Sequence, residues 1–156
     1  MTRYYTISTK TASFTAAKTL VLLRNPSDQV CMVVSAEVAA PDDDTNEQLD
    51  LGFNKVTTIG SPTGAAVVAT PHENGIAASG LDTSSLTELT AEPTTYSTSA
   101  IVGRAGASSL GGWRYLPTRD EALTLSPSEN WGLRLFTAMG TSKALTVRVT
   151  FAEIGG

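Results

Sequence analysis

Leu145-Thr146-Val147-Arg148-Val149-Thr150-Phe151 alternates apolar and polar residues without a break. Leu145, Val147, Val149 and Phe151 fall on one side of an extended chain and Thr146, Arg148 and Thr150 on the other, the two-residue period of a strand with one dry face and one wet face. Upstream, Trp131-Gly132-Leu133-Arg134-Leu135 reads the same way. Met139-Gly140-Thr141-Ser142-Lys143 lies between the two runs and Ser126-Pro127-Ser128-Glu129-Asn130 before them, both dense in residues that favour turns. The spacing therefore predicts an antiparallel hairpin, with Leu123 to Phe151 a meander closing one sheet of a β-sandwich.

Working outward, Thr19-Leu20-Val21-Leu22-Leu23-Arg24 is an apolar run of strand length that stops at Asn25-Pro26-Ser27-Asp28, and the Val-rich segment from Gln29 to Val38 follows. These two read as a second hairpin across the Asn-Pro turn. Tyr5, Ile7 and Thr9 alternate with Thr6, Ser8 and Lys10, as an edge strand leading in from the N-terminus would. Leu49, Leu51 and Phe53 share one face of another strand, and Gly64 to Thr70, Thr94 to Val102 and Glu121 to Leu125 are further candidates. A short helix is placed at Ser84 to Thr90. The result is an all-β fold, an antiparallel sandwich or barrel of about eight or nine strands. It forms a single domain over residues 1–156, with room for an extended N-terminal arm. Pro71 to Thr90 and Gly103 to Gly112 are left as long loops, a feature more often tied to function or interfaces than to filler.

Composition agrees. Only 17% of the 156 residues are charged, and Ser and Thr make up about a quarter of the chain, a mixture suited to sheets with hydroxylated outer faces. The formal charge of −4 argues against a generic nucleic-acid or anionic-membrane binder. Met1-Thr2-Arg3-Tyr4-Tyr5-Thr6 lacks the build of a signal peptide, and no stretch approaches the ~18 apolar residues of a membrane span, so synthesis in a cytoplasm is expected. Cys31, the single cysteine, sits in Val30-Cys31-Met32-Val33-Val34 and is expected as a buried free thiol.

The motifs of catalysis and metal binding are missing or broken. His72 is the only histidine, so neither a His pair nor a Cys-His zinc cluster can form. Asp42, Asp44, Asn46, Gln48 and Asp50 alternate like a calcium loop, but Glu47 and Phe53 stand where an EF-hand needs Gly and Glu. A solvated acidic turn is the expectation. Gly106-Ala107-Ser108-Ser109-Leu110 breaks the nucleophile-elbow pattern at its last position, and Gly103-Arg104-Ala105-Gly106 lacks the spacing of a phosphate loop. The expectation is a protein that is not an enzyme, with no cofactor, no catalytic residue and no metal ligand. Trp113, Tyr115 and Trp131 could build a sugar-stacking platform; against this, Trp131 is expected in the core, with Trp113 and Tyr115 covering a sheet edge or an interface. His72 and Glu73 lie in the loop Thr70 to Gly75, and together with Trp113, Arg114 and Tyr115 they are the residues expected at a subunit contact.

The segments Leu20-Val21-Leu22-Leu23-Arg24-Asn25-Pro26-Ser27, Leu123-Thr124-Leu125-Ser126-Pro127-Ser128-Glu129 and Leu145 to Glu153 together resemble small virion proteins of tailed bacteriophages. There an apolar strand ends in an Asn-Pro turn, and a Leu-x-Leu-x-Pro-x-Glu corner precedes a last hairpin that finishes on an acidic residue. The resemblance covers both ends of the chain and not the middle, from about Ala39 to Gly112, and Ser128 replaces the usual glycine of the corner. It implies a jelly-roll capsid decoration or cement protein, commonly trimeric, on the outer surface of a virion. The partners implied are the major capsid protein and further copies of the chain, with no nucleic acid and no membrane. The competing expectation is a carbohydrate-binding or host-attachment module, a head fibre or tail appendage, working through the aromatic loop.

Overall fold

The computed structural model describes residues 2–40 and 45–155, and among them twelve strands pair throughout in antiparallel fashion. In chain order these are β1 (Thr2–Lys10), β2 (Lys18–Arg24), β3 (Val30–Ala39), β4 (Gln48–Thr58), β5 (Thr63–Ala66), β6 (Ala69–Pro71), β7 (Leu86–Ala91), β8 (Thr95–Ser108), β9 (Trp113–Tyr115), β10 (Thr124–Leu125), β11 (Asn130–Leu135) and β12 (Thr146–Ile154). A lone 3-10 turn occupies Gly80–Thr83. Sheet 1 has the order β10-β3-β12-β1-β6, with β9 also on the outer side of β3, and sheet 2 the order β5-β7-β2-β11-β4-β8. Without β5 to β7, the chain runs β1-β12-β3-β9/β10 across one sheet and β2-β11-β4-β8 across the other. That is the double Greek-key order of a jelly roll.

The sandwich is as the alternation predicts, but the pairing is not. β11 lies in sheet 2 between β2 and β4, whereas β12 lies in sheet 1 between β3 and β1, so the two runs at the C-terminal end are not a hairpin. β2 and β3 likewise belong to different sheets. Alternation records that a strand has a dry face; it does not record which strand lies beside it. The N-terminus is neither an edge strand nor an arm. β1 pairs with β12 from Thr2↔Ile154 to Lys10↔Thr146, and β6 covers its other side from Tyr5 to Ile7.

The middle of the chain holds more strands than the sequence indicates. Gly64 to Thr70 divides into β5 and β6, and the helix expected at Ser84 to Thr90 is the strand β7. β8 runs on to Ser108 through the stretch left as a loop, and the short β5, β6, β7 and β9 bring the described strands to twelve against eight or nine. Thr58 and Thr95 are cross-strand partners, so β5, β6 and β7 are an excursion from the mouth of the β4–β8 hairpin. The excursion reaches the far edge of both sheets and contributes Val67, Ala69 and Leu81 to the core.

That core lies between the sheets. Tyr5 and Ile7 from β1, Val33 and Val38 from β3, and Val147, Val149 and Phe151 from β12 meet Leu51, Phe53, Leu133 and Leu135 from sheet 2. The rings of Tyr5 and Phe151 stack at 5.6 Å. Trp131 packs in the core at the start of β11, and Cys31 is buried with no exposed surface, its thiol pushed up by burial and by the Glu153 carboxylate.

Candidate functional site

The residues that carry the family resemblance meet at one end of the sandwich. Asn25, only 4% exposed, donates its side-chain amide to the carbonyls of Gln29, Leu125 and Ser126, while its backbone N–H donates to Glu129. The Ser128 N–H in turn donates to the carbonyl of Pro26 at 3.0 Å. Glu129 closes the corner, accepting from Lys55 Nζ and from the Ser126 N–H. Burial works against its negative charge, but these donors outweigh it and hold the carboxyl below its usual range. Glu153, the acidic end of the last strand, is buried and accepts from the Ser79 hydroxyl and from Gln29 Nε2. Asn-Pro turn, Pro-x-Glu corner and terminal acid are thus one hydrogen-bonded fastening, and each buried polar group in it has a structural partner.

The two outer faces of the sandwich differ. On sheet 2, Leu22, Val56 and Leu89 form a second apolar cluster under Ile59, Leu86 and Tyr96. Arg134 lays its guanidinium 3.9 Å from the centre of the Tyr96 ring, and the Glu92 carboxylate takes the backbone N–H and hydroxyl of Thr19. This face is sealed by the chain itself. On sheet 1, Met32, Ala152 and Tyr4 are register partners across β3, β12 and β1, and His72 continues the row by donating its N–H to the Tyr4 carbonyl. Tyr4 and Met32, on either side of Ala152, line a groove of about 450 Å³ walled by Pro117, Arg119 and Ala122 from the β9–β10 connection. Tyr4 is 41% exposed, Ile154 40% and Leu116 66%, so an apolar surface stays open here.

The residues expected at a contact divide between two places. His72 and Glu73 follow β6 at one edge of sheet 1, with His72 Nε2 2.7 Å from Thr6 Oγ1 and its ring stacked on Tyr4. Trp113, Arg114 and Tyr115 form β9 at the opposite edge. Of these three only Arg114 points outward, 3.5 Å from Glu37. Trp113 and Tyr115 are 2% and 8% exposed, stack on each other at 6.3 Å and pack against Phe53, so they do not present a contact surface. The Tyr115 hydroxyl is engaged as well, donating to Glu121 O and accepting from the Leu123 N–H. Sequence reasoning missed the groove residues Tyr4, Met32, Val34 and Ile154. Their signal is the double phase of their strands: Tyr4-Tyr5 and Val30-Cys31-Met32-Val33-Val34 are apolar on both faces, more than a sheet with one wet side requires.

Among the described residues no group of three or more His, Cys, Asp or Glu side chains is placed to hold a metal ion. Asp42, Asp43 and Asp44 of the acidic turn lie outside the described residues. Asn46 accepts from the Ser108 hydroxyl, and Asp50 takes a two-pronged bond from Arg104 at 3.0 and 2.7 Å that lowers its carboxyl. No family model, curated protein or solved structure matches the chain.

Proposed function

We propose that this protein is a structural virion component, a decoration or cement protein that binds the outside of a tailed-phage shell through the major capsid protein and acts as a homotrimer, without performing chemistry. The observation that carries the reading is the unequal treatment of the two faces: sheet 2 packs Ile59, Leu86 and Tyr96 over its outward apolar residues, while sheet 1 keeps an apolar groove open. A chain with roughly this much apolar surface left on one ordered face is built for contact with protein. The resemblance supports it further, since Asn25, Glu129 and Glu153 have the fastening role that a shared fold would retain.

The carbohydrate reading loses its platform because Trp113, Tyr115 and Trp131 are all less than a tenth exposed. Trp113→Ala is accordingly expected to cost about 3–5 kcal/mol of stability, as a buried aromatic truncation does. Denaturant titration measures that, and a glycan panel should show the unmutated protein binding nothing saturably. Adding purified protein to shells stripped of it tests the leading reading: saturable rebinding at a fixed ratio to the capsid subunit supports it, and no rebinding counts against it.

A further inference from the structure

Sheet 1 ends in two unlike free edges. No Lys or Arg stands between Lys55 and Arg104, where Glu73, Asp82, Glu88 and Glu92 are found, so this segment accounts for the whole formal charge of −4 and the remaining eleven basic and eleven acidic residues cancel. It forms β5 to β7, and its β6 is the free edge beside β1. Val68 stands there 77% exposed, and the exposed Glu73 has no partner among the described residues. At the other edge Leu116 is exposed, and Arg119 is the one charged side chain lining the groove, also without a partner among the described residues.

The levels of these groups along the strands agree to within two residues, about 7 Å. His72 stands opposite Tyr4, and the row Tyr4, Ala152, Met32 ends in the groove that Arg119 lines. Val68 precedes Ala69, the partner of Ile7, which puts it level with Ser8 and so with Arg148, Glu37 and Arg114, two residues before Leu116. The edges lie four strand spacings apart, about 19 Å, so one copy cannot bring them together. A ring of copies can. Cyclic symmetry has no translation along its axis, so an axis parallel to the strands sets groups of similar level near each other in a head-to-tail contact, with Val68 and Leu116 two residues out of step.

We infer that the β6 edge of one copy docks on the β9–β10 edge of the next, with Val68 seated against Leu116 and Glu73 paired with Arg119, closing a ring. The inference rests on the self-association contained in the reading above and names the two surfaces that produce it. Val68 supplies the apolar knob. Glu73 and Arg119 supply register and direction, since opposite charges at an interface act chiefly on specificity and encounter rate. The acidic segment keeps two β6 edges from meeting, which excludes the symmetric edge-to-edge dimer.

The test is the solution mass of the full chain and four variants by analytical ultracentrifugation: Val68→Ser, Arg119→Glu, Glu73→Arg and the exchange carrying both Arg119→Glu and Glu73→Arg. All three positions are on the surface, and thermal unfolding of each variant checks the fold. The expected result is an unmutated protein at three times the chain mass, single variants that associate roughly tenfold or more weakly, and recovery in the exchange. Added salt should weaken the unmutated ring. An unmutated protein that is monomeric at all concentrations overturns the inference. Oligomers of unchanged affinity in the single variants overturn it too, while leaving homo-oligomerisation itself standing. Failure of the exchange to recover removes the Glu73–Arg119 pairing. None of these outcomes depends on binding to shells, which the rebinding experiment reads separately.

Discussion

Ser128 holds φ at +65°, in the left-handed region where a Cβ clashes with the neighbouring carbonyl. Its N–H must point at the carbonyl of Pro26 to join the two turns, so the strained backbone is held by the fastening around it. Ser128→Gly is expected to raise stability by about 1 kcal/mol, the left-handed penalty less the entropy a glycine adds to the unfolded chain. Denaturant midpoints at constant slope would show it, and a lower midpoint would mean that the corner is not under strain. Glu129 and Asp50 give the pH response. Both carboxyls are lowered in the folded state, so the folded protein binds fewer protons than the unfolded chain in acid. Their contribution is complete above the unfolded values of about 4.3 and 3.9 and is lost as pH falls through the lower folded ones. The melting temperature should therefore drop on acidification below about pH 4. Glu129→Gln should melt lower at neutral pH and show a shallower acid limb; a limb of unchanged slope would dissociate Glu129 from the effect. At this scale the sequence was informative wherever geometry is local. The Asn-Pro turn and the corner could be read as turns, but their mutual hydrogen bonds could not, because Asn25 and Ser126 are far apart in the chain.

β12 is the element with most to lose. It lies between β3 and β1 in sheet 1 and buries Val147, Val149 and Phe151, each worth roughly 1.5–3 kcal/mol when fully enclosed. Ending the chain after Gly140 removes all three together with Leu145 and leaves two strand edges unpaired. The sum rivals the ~5–15 kcal/mol that a whole domain has to spare, so no cooperative unfolding transition is expected from the truncated chain, by circular dichroism or calorimetry. A soluble truncation with a sharp transition would show that β12 is dispensable. The same strand marks the limit of reading elements from sequence. Leu145 to Phe151 announced a strand and its dry face through period two. Its true neighbours, β3 and β1, begin more than a hundred residues earlier, and nothing in a two-residue period encodes them. Short strands escaped for another reason. β6 and β9 have three residues each and β10 two, too few for a period to appear, and β7 carries Thr87 and Glu88 where a helix pattern was equally compatible. β8 was cut short because Gly103 reads as a breaker, whereas here it turns to φ +65° within the strand with the Tyr115 ring close over it.

The molecule is asymmetric in apolar surface and in charge: sheet 1 carries the apolar groove, one of its edges is acidic, and the other bears an arginine with no partner among the described residues. His72 and Glu73 were legible as surface residues because a Pro-His-Glu-Asn-Gly stretch can only be a turn. The groove was not, since Tyr4, Met32, Val34 and Ile154 come from three strands and are collected only by the jelly-roll order of sheet 1. Trp113 and Tyr115 do stand at a sheet edge, one of the two places expected, but β9 folds their rings inward against Phe53 and away from a contact. Many copies on a lattice would turn a modest contact at the open face into firm attachment through avidity. The most direct test of the proposed virion role is the copy number of this chain, set against the major capsid protein, in intact purified particles of a phage carrying its coding sequence, together with its accessibility to protease from outside. A fixed stoichiometric ratio to the capsid subunit, with the chain accessible on the particle exterior, is the expected result. Absence from particles, or a handful of copies confined to tails, would contradict it.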